Sequence, residues 1–216
     1  MPCPGKVADM AAEIVAIDRQ EPEKAFSRCR DVIRSGGVIA FPTDTFYGLG
    51  ADPRNAAAIE RLFVIKGRAA DQPILLLLPD AAAVRAWASS VTAEAERLMA
   101  RFWPGPLTLV FSARPDVLPQ LTAGTGRIGL RVPGSEMARS LLAYLESALT
   151  GTSANRAGGP DPRSPGDVLG QLGDRIDLVL DGGPAIGERP STIVDVTGGR
   201  PRIIRQGAIA EETLFP

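Results

Sequence analysis

The chain has 216 residues, of which 44% are hydrophobic and 23% charged, a length and balance suited to one large domain with a substantial core. It contains no histidine, which excludes Ser-His-Asp triads, histidine general bases and histidine-ligated zinc, and its two cysteines can build neither a closed zinc site nor a disulfide framework. With 24 basic against 25 acidic residues and a pI of about 5.6, bulk electrostatics gives no reason for tight nucleic-acid binding.

In chain order, Met1 to Lys6 lacks the apolar core of a signal peptide, and a reduced cytoplasmic setting is expected. Glu13 to Ile17 reads as a strand. Pro22 opens a helix whose face is Ala25, Cys29, Val32 and Ile33, stopped by Gly36-Gly37. Val38 to Phe41 is an apolar strand, and Pro42 to Gly50 reads as a loop. Asn55 caps a helix with core positions Ile59, Leu62 and Phe63 that ends at Gly67. Ile74 to Leu78 reads as a buried strand and is far shorter than the ~20 apolar residues of a membrane span. Asp80 and Thr92 cap two further helices, the second ending before Trp103. Strands follow at Leu107 to Phe111 and Ile128 to Val132, then a helix from Ser135 through Leu145 and a loop at Gly151 to Asn155. Gly158 to Pro165 is loop, a short helix surrounds Val168, and strands lie near Leu178, Ile193 and Ile203. Interspersed helices and strands without a repeat predict one α/β domain with a mixed sheet.

Several polar groups punctuate this pattern. Gly124-Thr125-Gly126-Arg127-Ile128-Gly129 matches the dinucleotide pattern, but it leads into a strand rather than a helix, so it is rejected as a pyrophosphate cradle. Thr43 and Thr45 follow a buried strand, where α/β sheets place ligands; as turn hydroxyls they would merely cap backbone groups. Lys66 lies seven residues after Ile59, on the same helical face, at a C-terminus where a cation also suits the helix dipole. Arg68 brings a guanidinium to the same place, and two neighbouring cations favour a shared anion. Ser153-Ala154-Asn155, Pro190-Ser191-Thr192 and Arg205 are further polar termini, each bland alone.

Their order is not bland. Pro42-Thr43-Asp44-Thr45-Phe46-Tyr47-Gly48-Leu49, Lys66-Gly67-Arg68, Pro104-Gly105-Pro106-Leu107-Thr108-Leu109, Arg131-Val132-Pro133, Ser153-Ala154-Asn155, Ser191-Thr192-Ile193-Val194-Asp195 and Ile204-Arg205-Gln206-Gly207 together resemble the YrdC-like family of threonylcarbamoyl-AMP synthases, in its short single-domain form. The resemblance implies a twisted mixed sheet flanked by helices around a large concave cavity, with residues 1–12 an N-terminal extension, 13–207 the catalytic domain and 208–216 a tail. It implies that Thr45, Arg131 and Ser191 hold L-threonine and that Lys66, Arg68, Ser153, Asn155 and Arg205 face ATP, with Lys66 and Arg68 as the catalytic cations. The chain departs from the pattern at Leu77, where many members carry a histidine near the threonine, at Arg127, where some carry threonine, and at Asp161, where some carry serine.

The activity so implied is a nucleotidyl transfer: L-threonine, bicarbonate or CO2 and ATP give threonylcarbamoyl-AMP and pyrophosphate, with Mg²⁺ arriving on the ATP phosphates rather than in a protein cage. The product would pass to a separate tRNA threonylcarbamoyl transferase, and direct tRNA binding would be weak or indirect. The rivals are a non-catalytic RNA-binding or ribosome-assembly module, which would want a broad basic stripe, and a carbamoyl-AMP-forming domain, which normally sits in a larger chain.

Overall fold

The computed structural model describes residues 12–67 and 72–215. Strand β1 is Glu13–Ala16, and helix α1 is Pro22–Arg34, with Ala25, Phe26, Cys29, Val32 and Ile33 buried along one face. Strand β2, Ile39–Pro42, is buried at every position and turns back as β3, Tyr47–Gly50. Sequence reasoning takes this second segment for loop, yet it pairs as a strand, and the hairpin requires one of its glycines. A Cβ on Gly50 would meet the Phe41 ring at 2.8 Å and Leu149 at 3.0 Å.

Helix α2, Ala56–Lys66, starts where the Asn55 side chain accepts from the Ala58 amide at 3.2 Å and ends at Gly67 with φ +59°. Strand β4 is Leu76–Leu77. The helix expected after Asp80 is a single 3-10 turn, Ala82–Ala86, whereas Thr92 caps a true helix α3, Ala93–Phe102. Next come β5, Leu107–Ser112, a short α4, Pro119–Thr122, and β6, Arg127–Arg131. Helix α5, Glu136–Leu145, is capped by Ser135. Strands β7, Leu149–Thr150, and β8, Thr152–Ser153, lie at the entry to and inside the segment Gly151 to Asn155 that reads as loop. Helix α6, Pro165–Leu172, opens with a reciprocal Ser164–Asp167 capping box. The last elements are β9, Leu178–Asp181, β10, Thr192–Asp195, β11, Arg202–Arg205, and α7, Glu211–Leu214.

The strands form two mixed sheets rather than one, ordered β1-β9-β2-β3-β8 and β11-β10-β5-β6-β4-β7. Side-chain alternation divides the interior between two cores. Ala40, Leu76 and Val179 join one cluster, while Ile39, Phe41, Leu77, Leu178 and Leu180 join the other, against α1 and α5. Each fully buried leucine, isoleucine or phenylalanine contributes about 1.5–3 kcal/mol. Ile209 and Leu214, beyond the last strand, pack into the first core.

The chain crosses from one sheet to the other between β7 and β8. There the Thr150 hydroxyl donates to the Leu49 carbonyl and accepts from the Ala51 amide, both at 2.9 Å. Gly151 occupies the crossing itself, where a Cβ would lie 2.6 Å from Leu77 Cγ and 2.7 Å from Leu75 Cδ1. Among the described residues no helix is long and apolar enough to cross a membrane.

Candidate active site

The ends of these strands surround a cavity of about 840 Å³, within the range of small-molecule sites. Thr45, Arg131, Ser153, Ser191 and Arg205, drawn from opposite ends of the chain, all line it.

Arg131 ends β6 and is only 4% exposed. Its Nε donates to the Gly105 carbonyl at 3.0 Å, one Nη to Thr45 Oγ1 at 3.2 Å, and the other to Asp44 Oδ1 at 2.5 Å. Because β4 and β6 run parallel with Leu77 opposite Arg131, their side chains share a face, and the apolar Leu77 flanks the guanidinium. Thr45 is steadied in turn. Thr43 Oγ1 lies 3.0 Å from Thr45 Oγ1, accepts from the Thr45 amide and donates to the Phe46 carbonyl. Gly187 packs so tightly on this turn that a Cβ would come within 2.4 Å of Thr45 Cα.

Ser191 joins the two halves of the wall. Its hydroxyl is 2.9 Å from Thr108 Oγ1, and Arg205 Nη2 donates to its carbonyl at 2.9 Å and its hydroxyl at 3.3 Å. Burial of the Arg205 guanidinium in the cavity wall lowers its pKa; Asp161 opposes this, and the Arg131 charge adds to it.

Lys66 and Asn155 do not line the cavity; they stand behind Ser153. Lys66 Nζ donates to the Ser153 carbonyl at 2.5 Å and to the Asn155 carbonyl and Oδ1 at 2.9 and 3.1 Å. Ser153 Oγ donates to Asn155 Oδ1 at 2.7 Å, and Asn155 Nδ2 to the Gly159 carbonyl at 2.7 Å. Arg68 lies outside the described residues.

Sequence reasoning missed three contributors. Asp44, the ion-pair partner of Arg131, is the immediate neighbour of Thr45 in a motif already singled out. Thr108 is a lone polar residue in an apolar strand, a signal that was readable. Tyr47 donates to the Gly183 carbonyl at 2.7 Å, and burial, aided by Asp181, pushes its phenol well above the usual range. Asp161, noted in the sequence as a departure from the family pattern, lines the cavity as well. At the rim, Arg127 donates to Asp195 Oδ2 at 3.0 Å. Burial alone would raise the Asp195 pKa, but hydrogen bonds from Thr197 and the Arg127 and Arg202 charges outweigh it and hold the carboxyl below its usual value.

Residues 31–207 match the family model named Sua5_yciO_yrdC, whose description reads "Telomere recombination". The chain belongs to that family. It is 37% identical over 183 residues to the threonylcarbamoyl-AMP synthase of Pyrococcus abyssi, covering 84% of this chain and 54% of that one. With the threonylcarbamoyl-AMP synthase of Thiobacillus denitrificans it shares 38% identity over 168 residues, covering 78% of this chain and 89% of the relative. The structure of P. abyssi Sua5 complexed with L-threonine superposes with a TM-score of 0.86 at 35% identity, over 90% of this chain and 57% of that one. Escherichia coli YciO gives 0.84 at 26% identity, over 94% of this chain and 99% of that one. The chain thus spans about half the length of the P. abyssi and Bacillus subtilis relatives, 54% and 53%, and most of the shorter ones.

Proposed function

We propose that the chain is an L-threonylcarbamoyladenylate synthase, a nucleotidyltransferase that makes threonylcarbamoyl-AMP and pyrophosphate from L-threonine, bicarbonate or CO2, and ATP. The observation that carries this reading is the meeting, in one cavity, of a buried arginine flanked by hydroxyls with a second arginine and the braced Ser153 loop. Relatives bearing the synthase name, one solved with L-threonine, support it.

In this reading the threonine carboxylate takes the Nη hydrogens that Arg131 does not spend on Asp44 and Thr45, while Thr45 and Ser191 offer hydroxyls beside it. The amine nitrogen bonds to the carbon of CO2 and loses a proton, giving a carbamate. A carbamate oxygen then attacks the α-phosphorus of ATP and pyrophosphate leaves. The nucleophile belongs to the substrate, so none is asked of the protein, which suits a chain without histidine. The protein supplies alignment and a fixed positive field from Arg205 and, in this reading, Arg68. Lys66 acts one step back, fixing the Ser153 loop through its carbonyls. The ATP phosphates would bring Mg²⁺, which neutralises charge on the leaving group; the oxygens of Ser153 and Asp161 are the wall groups whose hard character fits it. Transfer to tRNA would fall to a separate transferase.

The test is pyrophosphate release from ATP, which we expect only when L-threonine and bicarbonate are both present, with the adenylate found by chromatography. Equal release without threonine would reduce the protein to an ATP hydrolase and end this reading.

A further inference from the structure

Among the described residues the cavity wall carries three arginines, Arg127, Arg131 and Arg205, and one carboxylate, Asp161. The first two arginines are matched by acids that do not line the cavity, Asp195 for Arg127 and Asp44 for Arg131. Arg205 makes no ion pair among the described residues, yet Asp161 is near enough to act on its charge. Asp161 and Arg205 thus line the same cavity with their charged groups more than 4.0 Å apart. The Asp161 carboxylate takes no hydrogen bond within the described residues.

The loop bearing Asp161 is held on both sides. The Pro162 carbonyl accepts from the Tyr47 amide at 2.9 Å, the Pro160 carbonyl accepts from Gln171 Nε2 at 2.9 Å, and the Arg163 amide is bound by Asp167. The backbone on either side of Asp161 is thus held, while its exposed carboxylate stays uncommitted within the described residues. In a wall that takes a triphosphate beside Arg205, an uncommitted carboxylate repels the ligand unless a divalent cation lies between them. A hard carboxylate oxygen sharing such a cation with phosphate oxygens is the usual way Mg²⁺ is held.

We propose that Asp161 is this protein's own ligand to the divalent cation carried by ATP, so that the cavity selects the metal–nucleotide complex over the free nucleotide. The inference rests on the adenylate-forming reading and adds a residue to it. A rival role for the same carboxylate, pairing with the threonine ammonium, would show in threonine binding without nucleotide.

The experiment is calorimetry of ATP binding to the full chain, with Mg²⁺ and with EDTA, for wild type, Asp161→Asn and Asp161→Ser. It is joined by the electron paramagnetic resonance spectrum of Mn²⁺–ATP on each. Wild type should prefer Mg-ATP. Asp161→Asn should lower the Mg-ATP to free-ATP affinity ratio by about tenfold, the scale of one charge contact in a partly exposed site. Both arms should move, with free ATP bound more tightly and Mg-ATP more weakly, and the bound Mn²⁺ spectrum should change. An unchanged ratio with ATP still bound removes Asp161 and leaves the adenylate reading standing. Threonine affinity that falls in Asp161→Asn without nucleotide, with the ratio intact, overturns the proposal in favour of the ammonium. Wild type that binds ATP in neither form overturns both readings.

Discussion

Replacing Lys66 by methionine keeps an unbranched apolar stem out to the ε position and removes the ammonium. In the structure Lys66 is 5% exposed, and its ammonium donates to two carbonyls and a side-chain oxygen on the Ser153–Asn155 segment, 87–89 residues away in sequence. Hydrogen bonds to a charged group contribute about 1.5–3 kcal/mol, and buried acceptors left without a donor cost about 1–3 kcal/mol. A net loss of roughly 3 kcal/mol is expected, because these contributions overlap at one nitrogen. For a chain of this size that corresponds to a fall in Tm of about 6–12 °C. The loss should appear without any ligand, and in folded protein it should come with weaker ATP binding, since Ser153 loses its brace. The control is Arg205→Ala, at a more exposed cavity-facing arginine, which should weaken ATP binding while changing stability by only about 0.5 kcal/mol. Thermal melts of the two variants with and without Mg-ATP make the comparison. If Lys66→Met melts within about 1 °C of wild type, as an ordinary surface substitution would, the buried cradle is not holding the loop and the reasoning fails.

Two further perturbations reach the site indirectly. Gly187→Ala places a Cβ 2.4 Å from Thr45 Cα and carbonyl and 2.6 Å from the Asp44 carbonyl, so backbone must move. Overpacking of this kind costs about 1–3 kcal/mol, and L-threonine affinity measured by calorimetry should fall about tenfold or more; unchanged affinity would show that the Thr45 turn does not contact the amino acid. Asp195 has a lowered folded pKa, so it stabilises the fold above its unfolded value and that contribution is lost as the pH falls through the folded one. Between about pH 5 and pH 3, around the ordinary aspartate value near 3.9, wild type should therefore lose more Tm than Asp195→Asn. Parallel curves would remove Asp195 from the acid sensitivity.

The wall residues Thr45, Arg131, Ser153, Ser191 and Arg205 were legible in the sequence because each sits in a short motif, and the order of the motifs is itself informative. The partners of those residues were not. Asp44 pairs with Arg131 across 87 positions, and Arg205 meets Ser191 only because β11 folds back antiparallel on β10. Lys66 shows the boundary clearly. Helical spacing assigns it to the face of Ile59, and that face is buried as expected. Spacing cannot say what covers the face, and the Ser153–Asn155 segment lies over it, its oxygens accepting from the Lys66 ammonium. The second sheet is a loss of the same kind, since β7 and β8 are two residues each and carry no periodic signal.

The two sheets explain why these segments converge. β10 lies parallel to β5, which sets Ser191 against Thr108, and β6 lies between β5 and β4, which sets Arg131 beside Leu77 on the same face. The crossing at Gly151 then carries the chain from β7 beside β4 to β8 beside β3, delivering Ser153 to the cavity rim. In the proposed reading, amino-acid and phosphate groups would therefore be positioned by strands that share hydrogen-bond ladders, with the Ser191 hydroxyl beside both Thr108 and Arg205. A shift at Ser191 would be felt on both sides of the reacting bond. If the proposed reaction is the right one, its nucleophile comes with the substrate, and this coupling of two subsites through one buried hydroxyl is where we place the protein's contribution to it.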